Sequence, residues 1–315
     1  MAQDANDFLT EMTRKMLDRV QRAGMPPLHQ QSVAQARMSY RVGVGAMEGE
    51  RVELPRVDDF SIPGPGGTIP ARLWAPSTDP CLPVLLYLHG GGFVVGGIDT
   101  CEGMCRRIAQ QSGAAVVAID YRLAPEHRFP AGLDDAFAAL QWLAANGVSL
   151  GLDPARIAVG GDSAGGTLAA SVALMARDAG LKLALQVLFY PSVEPSAVTE
   201  SYKAFSKNLM LDEPLMRWFE THARGPGFQS DWRREPMLAG SHQGLAPAWI
   251  GLAECDPLAD EGRQYAKVLQ DAGVPVQLTV WPGVVHDFIS MGRFIPEAFQ
   301  AHAAVAQALK SAFGL

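Results

Sequence analysis

The sequence lacks the features that would place the protein in a membrane or on a nucleic acid. No apolar run approaches the ~18 residues that a membrane-spanning helix needs, and the first residues carry acidic side chains instead of an apolar signal-peptide core. Lys and Arg number 26 against 33 Asp and Glu, which gives a formal net charge of −7. An acidic chain is poorly suited to nucleic acids or anionic lipid. We therefore expect a cytoplasmic protein without membrane insertion or nucleic-acid binding.

Cysteine is also scarce, and its four positions follow no disulfide framework, as expected in a reducing compartment. Cys101 and Cys105 stand four residues apart, as on one helix face, but no further His or Cys pair completes a zinc set. The GKS or GKT of a phosphate loop is missing, and GVGAME (43–48) begins like a dinucleotide fingerprint but ends in Glu. These observations predict neither a metal nor a nucleotide cofactor.

The chain does contain a regular alternation of apolar strands and helices. Segments such as PVLLYLH and AAVVAID are continuously apolar, which is typical of strands covered on both faces. Helical segments such as DTCEGMCRRIAQQSG separate them, and VELPRVDDFSIPG with TIPARLWAP predicts an antiparallel pair ahead of them. The pattern predicts an α/β protein with a doubly wound, mostly parallel sheet.

Two regions depart from this alternation. Residues 1–45 are predicted to be helical, and residues 195–240 are rich in Pro, Trp, Phe, Met and charge and contain the helical segment EPLMRWFETHA. The apolar residues of the first helix recur near one face: Phe8, Leu9, Met12, Met16 and Val20. We interpret residues 195–240 as an insertion, which leaves residues 46–194 and 241–315 as the α/β core.

The strongest local motif is GDSAG (161–165), which lies between the predicted strand RIAVGG and a predicted helix. A G-x-S-x-G in this context is typical of a nucleophile elbow, a turn so tight that the residues two positions either side of the serine must lack bulk. Gly161 and Gly165 meet that requirement, and the adjacent Asp162 is expected to point away from the reaction. Ser163 is therefore the candidate nucleophile, the alternative being a tight turn with an incidental serine.

A serine needs a base, and in folds of this kind the acid and the histidine follow it along the chain. Asp256 follows the predicted strand APAWIGLAE, and His286 follows VPVQLTVWPG, so both lie where strands end. Glu254 is assigned to the preceding strand and Asp260 to the next helix. Asp256 is thus the favoured acid, which would hold the His286 tautomer and stabilise the imidazolium.

The stretch LLYLHGGGFVVGG (85–97) ends an apolar strand in three consecutive glycines. An oxyanion formed during serine attack needs fixed hydrogen-bond donors, one of them the backbone N–H of the residue after the nucleophile, here Ala164. A Cβ in the glycine segment would block the approach of the substrate oxygen to the backbone. We assign the other donors to Gly91 and Gly92, with Gly90 permitting the turn.

Five motifs together resemble the hormone-sensitive-lipase-like esterases, the bacterial family IV carboxylesterases. They are HGGGF (89–93), YRLAPEHRFPA (121–131), GDSAGG (161–166), DPLADEG (256–262) and HDF (286–288). The resemblance covers residues 75–312 and implies an α/β-hydrolase fold with a mostly parallel eight-stranded sheet, helices on both faces and no cofactor. It also implies a helical cap, built here from residues 1–45 and the insertion 195–240.

Carried over to this sequence, the resemblance implies a catalytic triad of Ser163, Asp256 and His286 and an oxyanion hole of Gly91, Gly92 and Ala164. Within YRLAPEHRFPA, which has no evident chemical role, we expect a structural polar network of Arg122, Glu126 and His127.

The function these residues indicate is hydrolysis of small carboxylic esters, with short to medium acyl chains, through an acyl-enzyme intermediate. One alternative is a non-catalytic small-molecule binding protein on the same fold, although such relatives lose the histidine that is kept here. Another is a hydrolase of amides, lactones or carbamates, because these share the oxyanion chemistry. The resemblance also suggests a homodimer through strand 274–281, whose β-branched composition suits an unpaired sheet edge.

Overall fold

A computed structural model describes residues 7–194 and 197–315 and arranges the strands in one sheet. In chain order the strands are β1 (Arg56–Gly64), β2 (Gly67–Ala75), β3 (Leu82–Leu88), β4 (Ala115–Ile119), β5 (Leu152–Asp162), β6 (Gln186–Phe189), β7 (Ala248–Cys255) and β8 (Val276–Val285). Across the sheet their order is β1-β2-β4-β3-β5-β6-β7-β8. The predicted eight-stranded sheet is confirmed.

The pairing of the strands explains their composition. The hairpin of β1 and β2 turns between Gly64 and Gly67, and β2 runs antiparallel to β4, whereas all neighbours from β4 to β8 are parallel. Residues of β3 and β4 such as Leu85 and Val116 are paired and have no exposed surface. Continuous apolar runs suit parallel strands because both of their faces are covered.

The described residues form nine α-helices: α1 (Glu11–Ala23), α2 (Val33–Met47), α3 (Ile98–Ser112), α4 (Ala131–Asn146), α5 (Ala164–Asp178), α6 (Glu200–Phe205), α7 (Glu213–Arg224), α8 (Ala259–Asp271) and α9 (Glu297–Phe313). The sheet is covered largely by five of them, α3, α4, α5, α8 and α9. Helix α3 packs against α9, α4 packs against α5, and α8 lies on β7 and β8. The predicted α/β-hydrolase architecture is therefore confirmed.

One strand is shorter than its sequence suggests. The apolar segment LKLALQVLFYP (181–191) predicts a long strand, but β6 includes only Gln186–Phe189. Before it, the chain is held by single hydrogen bonds, from Leu181 N–H to the carbonyl of Ala176 and from Ala184 N–H to that of Ile157. The apolar residues before Gln186 therefore do not extend the hydrogen-bond ladder of β6.

The two segments predicted to form a cap contact each other as well as the core. Residues 1–6 and 195–196, which belong to these segments, lie outside the described residues. Helix α1 runs beside the edge strand β8, where Thr10 N–H donates to the Gly283 carbonyl. Helix α7 packs instead on the short turn Leu28–Gln30, which precedes α2. The first segment thus contacts both the sheet edge and the second segment.

Among the helices of the described residues, none combines the length and the apolar character that crossing a bilayer requires. Nor do residues 7–194 and 197–315 contain a group of three His, Cys, Asp or Glu side chains arranged for a metal ion.

Candidate active site

The serine turn (residues 161–165) connects β5 directly to α5. Ser163 has φ 52° and ψ −119°, a backbone conformation that non-glycine residues rarely adopt. A Cβ at Gly165 would overlap the carbonyl oxygen of Leu88, and one at Gly161 would overlap the backbone of Gly165. Both glycines are therefore required by backbone contacts, and the turn places Ser163 between the last residue of β5 and the first residue of α5.

Three predicted side chains meet at this point. His286 Nε2 lies 2.9 Å from Ser163 Oγ, and His286 Nδ1 lies 2.7 Å from Asp256 Oδ2. Asp256 has no exposed surface, and its Oδ1 accepts the backbone N–H of Leu258 at 2.9 Å. The second hydrogen bond fixes the carboxylate, so the imidazole is held between an acid and a hydroxyl.

The environment of His286 favours the protonated imidazole. Burial of the ring lowers its pKa, but the charge and hydrogen bond of Asp256, together with the charges of Asp287 and Asp162, raise it by more, so the pKa of His286 lies above its ordinary value. Tyr190 packs against the imidazole with ring centroids 4.6 Å apart. The ring is therefore oriented, and stabilised in the charged form it would take after accepting a proton.

The other carboxylates considered for the acid role are engaged elsewhere. Glu254 accepts the backbone N–H of Gly283 at 2.8 Å, and Asp260 accepts that of Ser201 at 2.8 Å. Of the three candidates, Asp256 is the one whose carboxylate contacts the imidazole of His286.

The glycine loop (residues 89–95) follows β3 and passes beside Ser163. The Gly91 carbonyl accepts the N–H groups of Val94 and Val95, at 3.0 and 2.9 Å, which closes the loop into a turn. Among the described residues, no acceptor is within hydrogen-bond reach of the N–H groups of Gly91 and Gly92. Both residues line the cavity that contains Ser163 and Ala164. Backbone donors are thus left free for an oxygen atom at this point.

The sequence predicts only that Asp162, beside the nucleophile, points away from the reaction, and the structure shows what its carboxylate contacts. Its Oδ1 accepts the Tyr87 hydroxyl at 2.7 Å and the Gly90 N–H at 3.0 Å. Burial raises the pKa of Asp162 to about 6, although these hydrogen bonds and His286 oppose the shift. Asp162 therefore joins the serine turn to the glycine loop, a contact that sequence spacing did not indicate.

The segment YRLAPEHRFPA supports the outer side of the glycine loop. The Tyr121 hydroxyl donates to the His89 carbonyl at 2.7 Å, and the two rings stack with centroids 4.3 Å apart. The predicted network of Arg122, Glu126 and His127 is wrong in its partners. Arg122 binds Asp135 and Glu126 binds Arg37, because the two side chains leave the segment in different directions.

Asp287 is a second acid that the sequence did not single out. It has φ 66°, and its carboxylate accepts the hydroxyls of Ser290 at 2.8 Å and Tyr40 at 3.4 Å. Burial raises the pKa of Asp287 to about 6, and it lines the same cavity as Ser163. Its position directly after His286 was the available signal.

The cavity around Ser163 has a volume of about 380 Å³. Its walls come from the core and from both predicted cap segments; the apolar ones include Leu28, Phe93, Met210, Met216, Phe219 and Leu258. Two charged side chains, Arg234 and Glu261, are 3% exposed and also line it. Burial raises the pKa of Glu261 to about 8. A mostly apolar cavity of this size fits a small molecule.

The sheet order and the serine turn are those of an α/β hydrolase. A family model described as the α/β hydrolase fold matches residues 85–290, and the chain belongs to that family. The resemblance to hormone-sensitive-lipase-like esterases is confirmed by the relatives that follow.

Two curated relatives cover most of the chain. An ethyl acetate hydrolase of Pseudomonas putida is 40% identical over 291 residues, which span 90% of this chain and 92% of that protein. The carboxylesterase NlhH of Mycobacterium tuberculosis is 41% identical over 269 residues, 82% of this chain and 83% of that protein.

Solved structures agree over nearly the whole length. An α/β hydrolase from the metagenome of Lake Arreo superposes with a TM-score of 0.94 at 39% identity, covering 98% of this chain and all of the other. An esterase of Pyrobaculum calidifontis reaches a TM-score of 0.91 at 38% identity, covering 96% of this chain and 98% of the other.

Proposed function

We propose that this protein is a serine carboxylesterase that hydrolyses small esters with short to medium acyl chains. The observation that carries the proposal is the continuous hydrogen-bonded chain from Asp256 through His286 to Ser163, at the wall of a cavity with free backbone donors. The relatives, among them an ethyl acetate hydrolase, support esters as the substrate class.

The proposed mechanism follows from these positions. Ser163 Oγ attacks the ester carbonyl carbon while His286 Nε2 takes the hydroxyl proton, and Asp256 stabilises the imidazolium. The carbonyl oxygen becomes an oxyanion that accepts the N–H groups of Gly91, Gly92 and Ala164. His286 then returns the proton to the leaving alcohol, which breaks the ester C–O bond. Water activated by the same imidazole hydrolyses the acyl-enzyme and restores Ser163.

A panel of p-nitrophenyl esters from acetate to palmitate tests the substrate range. We expect kcat/KM to be highest between acetate and octanoate, because a cavity of about 380 Å³ cannot enclose a long chain. Faster hydrolysis of emulsified long-chain triglyceride than of butyrate esters would contradict the proposed range. No hydrolysis of p-nitrophenyl acetate would instead favour a small-molecule binding protein. Faster turnover of matched amides, lactones or carbamates than of the esters would change the substrate class.

We further propose that residues 1–45 and 195–240 act as a cap over the core of residues 46–194 and 241–315. Support comes from Leu28 and Phe219, one from each segment, which both line the cavity.

A homodimer through residues 274–281 also stays a prediction, with β8 at the edge of the sheet as its support. Light scattering at micromolar concentration tests it, and a monomer mass would refute it. The cytoplasmic location likewise remains a prediction from the sequence.

A further inference from the structure

The glycine loop (residues 89–95) closes on itself through the Gly91 carbonyl, and residues from other parts of the chain hold both of its sides. Its inner side is held by Asp162, through the N–H of Gly90. On its outer side, two carbonyls, those of Phe93 and Val94, accept hydrogen bonds from residues outside the loop. Oxyanion donors must point at the reacting oxygen before the reaction begins, so whatever anchors these carbonyls affects catalysis.

One side chain of α2 anchors that outer side. Arg37 Nε donates to the Val94 carbonyl at 2.8 Å, and Arg37 Nη2 donates to the Ala124 carbonyl at 2.9 Å. The N–H of Ala124 in turn donates to the Phe93 carbonyl at 2.9 Å. The guanidinium therefore bridges two chain segments, and through them it holds two successive carbonyls of the glycine loop.

The partner on the solvent side completes this arrangement. Glu126 accepts Arg37 Nη1 at 3.0 Å and Nη2 at 2.6 Å. The rigid, planar guanidinium can make all of these contacts at once, which the ammonium group of a lysine cannot reproduce. Among the described residues that line the Ser163 cavity, Arg37 does not occur. It is therefore in a position to act on the loop without contacting substrate.

We propose that Arg37 is a positioning residue that aligns the backbone donors of Gly91 and Gly92 for the transition state. This inference rests on the proposed esterase function. In this role Arg37 differs from the cavity-lining residues of the predicted cap, because loss of those residues would change substrate binding. Loss of Arg37 lowers kcat and leaves KM nearly unchanged, because the donors act mainly on the charge that develops in the transition state.

The test compares Arg37→Met with Arg41→Met. Arg41 lies one turn further along the same helix, is largely exposed and pairs with Asp99, so its substitution removes a similar charge without touching the loop. With p-nitrophenyl butyrate we expect kcat to fall about tenfold in Arg37→Met and to change less than about twofold in Arg41→Met, with KM within about twofold in both. Arg37→Lys, which keeps the charge but not the bridge, should give an intermediate loss and serves if Arg37→Met does not fold.

A second readout measures the donors without turnover. A trifluoromethyl ketone forms a tetrahedral adduct with the serine and places an oxyanion at the donors, so its inhibition constant should rise about tenfold in Arg37→Met, in step with the loss of kcat. A lower unfolding temperature with unchanged kcat and inhibition constant would show a purely structural role. A rise in KM alone, or equal losses in Arg41→Met, would also overturn the inference.

The same experiment keeps the two proposals apart. If the wild-type protein neither hydrolyses esters nor binds the ketone, the proposed function fails. If the wild type does both and Arg37→Met matches it, only the role of Arg37 fails.

Discussion

The serine turn and the glycine loop line the same cavity, and both depend on glycine, but they keep their shape by different means. In the serine turn, the atoms that exclude a Cβ at Gly161 and Gly165 are backbone atoms of Leu88, of His89 and of the turn itself. In the glycine loop, a Cβ at Gly92 would overlap the side chain of Phe219, from α7. In the serine turn a Cβ is thus excluded by backbone atoms alone, whereas in the glycine loop a side chain of α7 also excludes it.

This difference distinguishes the proposed bond-making groups from the proposed oxyanion donors. The groups proposed to make and break bonds lie on strand ends, where the parallel sheet fixes them. The donors proposed to stabilise charge lie on a loop that Asp162 holds on its inner side and Tyr121 and Arg37 hold on its outer side. Substitutions in the first region should remove catalysis outright, and substitutions around the second should reduce it in steps.

The largest expected effect is that of Ser163→Ala, on the core side of the comparison. The variant should fold normally and lose about 10⁶-fold in kcat, because no nucleophile remains. Steady-state kinetics with p-nitrophenyl butyrate, together with circular dichroism, measure this. Retention of even a tenth of the activity would remove Ser163 from the mechanism.

Asp256→Asn should follow, with a loss of about 10⁴-fold in kcat, because the amide favours the wrong tautomer of His286. Asp260→Asn is the matched control: its carboxylate binds the backbone of Ser201 and does not contact the imidazole. If Asp260→Asn is the more damaging of the two under the same assay, the assignment of the acid is wrong.

Glycine substitutions test the comparison directly. Gly92→Ala should lower kcat about 100-fold by disturbing the oxyanion donors, and adding Phe219→Ala should recover part of this loss by removing the overlapping ring. Some loss should persist because Gly92 has φ 59°.

Gly165→Ala offers no such recovery, since the overlapping atom is the Leu88 carbonyl oxygen. Its expected result is a lower unfolding temperature and no measurable turnover.

In the double-mutant experiment, activity of Gly92→Ala with Phe219→Ala that is no higher than that of Gly92→Ala alone would contradict the view that α7 shapes the glycine loop. It would leave backbone strain as the sole reason for this glycine.

The smallest expected effect is that of pH. His286 must be neutral to accept the serine proton, so kcat/KM should fall about tenfold per pH unit below the pKa of His286. Because Asp256 raises that pKa, the acidic limb should lie above the ordinary histidine value and move to lower pH in the residual activity of Asp256→Asn. A flat profile from pH 5 to 8 in the wild type would argue against His286 as the base.

Part of this site could be predicted from the sequence because the responsible signals are local. G-x-S-x-G specifies a turn through glycines two residues from the serine, and the acid and base follow apolar strands that end at one edge of the sheet. These signals are sufficient to assign Ser163, Asp256 and His286 to a single site. The outlying β1 and β2 hairpin was predictable for the same reason, since its turn glycines lie beside the strands they join.

By itself, then, the sequence determined an α/β fold with a doubly wound, mostly parallel sheet and the candidate triad, because strand patterns and tight turns depend on neighbouring residues; the α/β-hydrolase assignment came from the family resemblance. Only the tertiary structure decided how the glycine loop is held. Arg37 is 57 residues from Val94 in the chain, and Asp162 is 72 residues from Gly90. A hydrogen bond between such distant groups leaves no periodicity or spacing to detect, because only the packing of α2 and the sheet brings the partners within reach.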